Sequence, residues 1–124
     1  MAKAKEQALH EFWNSFEIPA YDENTVPDDA EMPYITYSVG VASLDETIPL
    51  YASVWYYGTS WDDISRKAIE IGEYIGRGGI SQFYDDGRIW IKRGIPFSQR
   101  MSEPGNNFVR RIYLNINVEF QSAN

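Results

Sequence analysis

Three carboxylate clusters mark the 124-residue chain: Asp28-Asp29 with Glu31, Asp62-Asp63, and Asp85-Asp86. Paired acids suit glycoside hydrolysis, in which one protonates the leaving oxygen and the other attacks or activates water. The four Trp and nine Tyr would suit stacking on a sugar. Two of the pairs have a structural reading instead. Asp62-Asp63 follows Ser60 where an apolar stripe begins, so the acids meet the positive end of a helix dipole, and Asp85-Asp86 leads into Gly87 as a turn. Only the first cluster is left, and an open, proline-bounded arm is a poor setting for catalytic carboxylates. His10 is the sole histidine and cysteine is absent, which leaves little for a metal site or for a Ser-His or Cys-His nucleophile. Gly76, Gly78 and Gly79 follow a helix, whereas phosphate-binding glycines precede one. The expectation is a protein that is not an enzyme, with no catalytic residues, no cofactor and no metal. A glycan-binding module or hydrolase using the Trp and Tyr surface is the competing class.

Composition points the same way. A hydrophobic fraction of 44% is globular, and the length suits one domain. No apolar run approaches the roughly 20 residues that cross a bilayer. The opening MAKAKEQALHEF is charged and lacks the apolar core of a secretion signal, so a reducing cytoplasm is the expected compartment. The net charge of −7 is unevenly placed: ten acids face only Lys3 and Lys5 in residues 1–60, against eight acids and nine bases in 61–124. Phosphate backbones are bound by Lys and Arg that release counterions, so this balance argues against nucleic acid as the main ligand. The bases of the second half, Arg88, Lys92, Arg93, Arg100, Arg110 and Arg111, would suit the acidic front of a neighbouring copy.

Leu9, Phe12, Trp13 and Phe16 fall at helical spacing and predict a helix from about Ala4 to Phe16, ended by Pro19. Residues 17–32 read as an extended acidic arm. PYITYSVGVA (33–42) puts Ile35, Tyr37, Val39 and Val41 on one face of a strand, and SLDETIP turns the chain into LYASVWYYG. The VWYYG strand carries aromatics on both faces, which makes Trp55 and Tyr57 candidates for a sticky surface. Ile64, Ala68, Ile71 and Ile75 mark a second helix, with Gly76 as a left-handed C-cap. QFYDDGRIWIKR reads as a hairpin, and residues 94–107 as a long loop with two prolines. In the last strand Phe108, Ile112, Leu114, Ile116, Val118 and Phe120 share a face interrupted by Arg110, opposite Arg111, Tyr113, Asn115, Asn117 and Glu119. The predicted fold is α+β: a mainly antiparallel sheet with two α-helices packed on one face, order α-β-β-α-(β-hairpin)-β, in one domain over 1–124.

The run of FW, IPAYDENTVPDDAEMPYITY, VWYY, TSWDDISRKAIEIGEYIG and RRIYLNINVEF resembles the small tail-terminator or tail-completion proteins of long-tailed phages and prophages of Gram-positive bacteria. The likeness covers nearly the whole chain, and the order of the pieces carries it more than any one of them. It implies a virion structural protein without enzymatic activity, assembled in the bacterial cytoplasm as a homo-oligomer, commonly a hexameric ring. Such a ring caps the tail tube and joins the head connector. Its implied partners are further copies of itself, the tail tube protein and the head-completion protein, with no membrane and no sequence-specific nucleic acid. A head-side neck protein is the nearest alternative. On this reading Asp28, Asp29, Glu31, Arg100, Trp55 and Tyr57 are the candidates for subunit or tail contacts.

Overall fold

The computed structural model describes residues 4–40 and 46–122. In chain order it has α1 (Lys5–Trp13), a 3-10 turn (Asn14–Phe16), β1 (Ala20–Asp22), β2 (Tyr34–Tyr37), β3 (Thr47–Tyr57), α2 (Asp62–Ile75), β4 (Ile80–Tyr84), β5 (Gly87–Met101) and β6 (Val109–Ser122). The six strands form one curled sheet in the order β1-β2-β3-β6-β5-β4.

This corrects the predicted mainly antiparallel sheet and its order. The sheet is mixed, because β1 pairs parallel to β2, and the order along the chain is α-β-β-β-α-β-β-β. The extra strand lies inside the expected arm. Asn14 holds it there: its side-chain amide accepts from the Ala20 N–H at 3.1 Å and donates to the carbonyls of Ala20 and His10. Three residues are too few to show an alternating pattern, so this strand leaves no periodic signal in the sequence. Parallel strands need a crossover of about a dozen residues, and the acidic segment between β1 and β2 is that crossover. An Asx turn at Asp22 starts it, with the Asn24 N–H donating to Asp22 Oδ1 at 2.9 Å.

A second correction concerns residues 94–107. Most of that expected loop is strand, since β5 runs to Met101 and the connection to β6 is only 102–108. Pro96 obscured it. The proline sits in a bulge where the pairing jumps from Arg93↔Ile116 to Ser98↔Leu114, so four residues of β5 oppose Asn115 alone. The expected turn SLDETIP is likewise shortened: Thr47, Ile48 and Pro49 belong to β3, while residues 43–45 and Val41 lie outside the described residues.

The core is where the spacing put it. Leu9, Phe12, Trp13 and Phe16 are buried together with Ile64, Ala68, Ile71 and Ile75 of α2 and with Ile112, Leu114, Ile116, Val118 and Phe120 of β6. Asn115 and Asn117 alternate with them and are more exposed. Phe108 departs from the expected stripe: it precedes β6, is half exposed and stacks on Tyr57. α1 touches both edge strands, β1 and β4, which only a curled sheet permits. Gly76 closes α2 with φ 74° but an extended ψ of 177°, so it is not the left-handed cap expected.

Candidate functional site

The acids with catalytic potential are dispersed. Asp62 and Asp63 occupy the first turn of α2, where Ser60 Oγ accepts the Asp62 N–H at 3.0 Å and Asp63 pairs with Arg66 on the surface. Ser60 stands one residue before the N-cap Trp61, so this is a turn bond leading into α2 and not a side-chain cap. Asp85 and Asp86 form the two-residue link between the paired Tyr84 and Gly87. His10 shares a 2.6 Å hydrogen bond with Tyr37 and contacts Asn14. Burial above all, then the charges of Asp22 and Glu6, push the Tyr37 phenol from 10.0 up to about 12. Gly79 serves packing, with φ +85° and the space of a Cβ filled by the Ile91 carbonyl and the Trp90 indole nitrogen. Trp90 in turn donates to the Gly78 carbonyl at 3.1 Å. Among the described residues no group of three His, Cys, Asp or Glu side chains is placed to hold a metal ion.

The six interaction candidates fall in three separate places. Trp55 lies on the sheet face opposite the helices, in a ladder that runs from Tyr21 through Tyr34 to Trp55 and on to Arg111 and Tyr113. It is half-buried and tied down, donating to Thr36 Oγ1 at 2.9 Å while the Arg111 guanidinium covers its ring at 4.8 Å. Arg111 is itself locked by Ser53 and by an ion pair with Glu103. Tyr51 extends the ladder. It stacks on Tyr113 and donates to the Glu23 carboxylate at 2.7 Å, a bond that pushes its phenol pKa up. Trp55 therefore ties β3 to its neighbours β2 and β6, whereas Tyr57, 67% exposed and stacked on Phe108, is open to a partner.

Arg100 lies on the helix face beyond the start of α2, over the Trp61 ring at 4.8 Å, with Arg110 5.3 Å from the same ring. Arg110 interrupts the apolar stripe of β6 for this reason: it reaches past the helix to the carbonyls of Thr59 and Asn107, which leaves its Nε buried without a partner.

Asp28, Asp29 and Glu31 stand exposed on the β1–β2 crossover. Asp29 and Glu31 line a depression of about 600 Å³ together with Glu17, Ile18, Pro27 and Met32. Acidic and apolar groups meet in this cup. A second depression, about 560 Å³, lies near the other edge of the sheet between Arg77, Trp90, Lys92, Arg93 and the β5 bulge. At the tip of that bulge Ile95 is 100% exposed. Sequence reasoning passed over Ile95 and Arg77; the signal available was an isoleucine-proline pair directly after Lys92-Arg93-Gly94, which the loop reading absorbed.

No family model matches the chain, and no curated protein matches it. Among solved structures, a chain from the virion of a native gene transfer agent particle shares the fold, with a TM-score of 0.59 over 92% of this chain and 84% of that one. Identity is 16%, so the likeness is one of fold. The class so defined is a small curled mixed sheet with two helices in a single core, an architecture that a virion particle also uses.

Proposed function

We propose that this chain is a virion structural protein that caps the tail tube as a ring of copies and forms part of the head-tail joining interface. The observation that carries the reading is the shared fold with a virion chain, over 92% of the residues here. The resemblance of the IPAYDENTVPDDAEMPYITY arm and its flanking pieces to tail-terminator proteins gives the reading its finer form. The chain's surface supports it as well, because open features lie at both edges of the sheet: the acidic cup beside β1 and the bulge on β5. In this reading six copies close the ring, the partners are the tail tube protein and the head connector, and assembly takes place in the bacterial cytoplasm. The chain turns over no substrate, and its acids serve solubility and contact.

Deleting the gene from a producing genome tests this by electron microscopy of the particles. The reading predicts filled heads without joined tails and tail tubes of uncontrolled length. Particles of normal tail length and normal joining would overturn it.

A further inference from the structure

The acidic cup and the Ile95 bulge are opposite in charge, and each combines charged with apolar groups. The cup is lined by the apolar Ile18, Pro27 and Met32 and by the acids Glu17, Asp29 and Glu31. The bulge presents a fully exposed isoleucine beside Arg93, with Arg77 lining the same depression. Single exposed apolar residues are ordinary, but this one is held out on a fixed support. Gly94 packs against the Asn115 backbone, the Asn115 amide donates to the Pro96 carbonyl at 3.0 Å, and the Phe97 ring lies on Gly72 of α2. A knob already fixed in shape loses little entropy when it is covered.

No Lys or Arg occurs between Lys5 and Arg66. Among the described residues, ion pairs form between Arg66 and Asp63, Lys67 and Glu70, and Arg111 and Glu103, and neither the acids of the cup nor Arg77 and Arg93 take part in them. The two features also lie toward opposite edges of the sheet, the cup beside β1 and the bulge on β5 next to β4. Unlike surfaces set apart in this way repeat from copy to copy by one fixed rotation, which is how a head-to-tail ring grows.

From this complementarity we propose that the Ile95 bulge of one copy seats in the acidic cup of the next. The inference rests on the ring reading above and supplies its contact. A single-stranded nucleic acid is the less suited occupant of the cationic depression. The Trp90 ring already carries Lys92 at 4.8 Å and the Arg88 guanidinium at 5.5 Å, so a stacked base would displace a cation.

The chain has no cysteine, so engineered pairs report cleanly. Asp29→Cys and Arg93→Cys proteins are mixed under mild oxidation and resolved on a non-reducing gel, with Asp29→Cys plus Asp86→Cys as the baseline for random encounter. All three sites are exposed, and circular dichroism verifies the fold of each variant. The expected result is a disulfide-linked dimer well above baseline, reduced at least about tenfold when Ile95→Glu is added to the Arg93→Cys protein, since a buried like charge opposes docking. A yield at baseline, or one indifferent to Ile95→Glu, would overturn the proposal. So would binding of a labelled single-stranded oligonucleotide that Arg77→Glu abolishes while the cross-link stays at baseline. If the cross-link fails while the protein still caps tail tubes, this contact is wrong and the function stands; if it forms while tubes are not capped, the reverse holds.

Discussion

At the scale of single residues, two side chains show what burial does here. Leu114 is fully buried in the middle of β6, and truncation to alanine leaves a cavity that close-packed neighbours cannot fill. Leu114→Ala should cost about 2–5 kcal/mol in urea unfolding. Tyr37 is buried against Trp13, with its hydroxyl on His10. Its folded pKa of about 12 lies above the ordinary 10.0, so the protonated form is favoured in the fold. The stability linked to it is fully present below pH 10 and is lost as pH rises from 10 to 12. Unfolding midpoints of the wild type should fall across that window, and Tyr37→Phe should flatten part of the fall. The remainder belongs to Tyr51, raised by its bond to Glu23, and to Tyr84 and Tyr56, which burial pushes up. A Phe variant with the full alkaline loss would remove Tyr37 from this role.

At the scale of elements, Gly87 illustrates why a correct expectation can have the wrong cause. Asp86-Gly87 reads as a hairpin turn because glycine accepts positive φ, and the hairpin is there. Yet the turn residues are Asp85 and Asp86, and Gly87 already belongs to β5 without a positive φ. Its requirement is closeness: a Cβ on Gly87 would collide with the Gln121 carbonyl of β6. Gly87→Ala should therefore destabilise by roughly 1–3 kcal/mol through forced backbone shift, read as a lower Tm. An unchanged Tm would show that β5 and β6 separate there at no cost. Both helices, the β6 register and the hairpin were legible because each repeats a pattern over many residues. The three-residue β1 was not, since side-chain bonds from Asn14 position it, and the bulged end of β5 was hidden behind a proline that breaks strand periodicity.

At the scale of the whole molecule, no single cluster marks a site. Trp55 was read as surface and proves to be a half-buried strut under Arg111, while Tyr57 keeps the exposure expected of it. Asp28, Asp29 and Glu31 lie together, far in the sheet order from the cationic depression, so under the proposed contact they meet Arg93 only between copies. The sequence suggested an acidic front against a basic back, but not the Ile95 bulge, which the loop reading absorbed. An assembly held by opposite charges weakens with salt, because exposed pairs are screened over a Debye length of about 10 Å at 0.1 M. The dimer yield in the cross-linking mixture should fall as salt rises from 0.05 to 0.5 M, because Arg77 still faces Glu17 and Glu31 once Asp29 and Arg93 are replaced. An apolar contact alone would hold or strengthen.

The most direct measurement mixes the purified protein with growing tail tubes from its own particle and images the tube ends over time by electron microscopy. Capping predicts protein density at one end of each tube and arrested elongation at that end, at a concentration where untreated tubes continue to lengthen. Tubes that never bind the protein, or that extend past it once bound, would contradict the assignment.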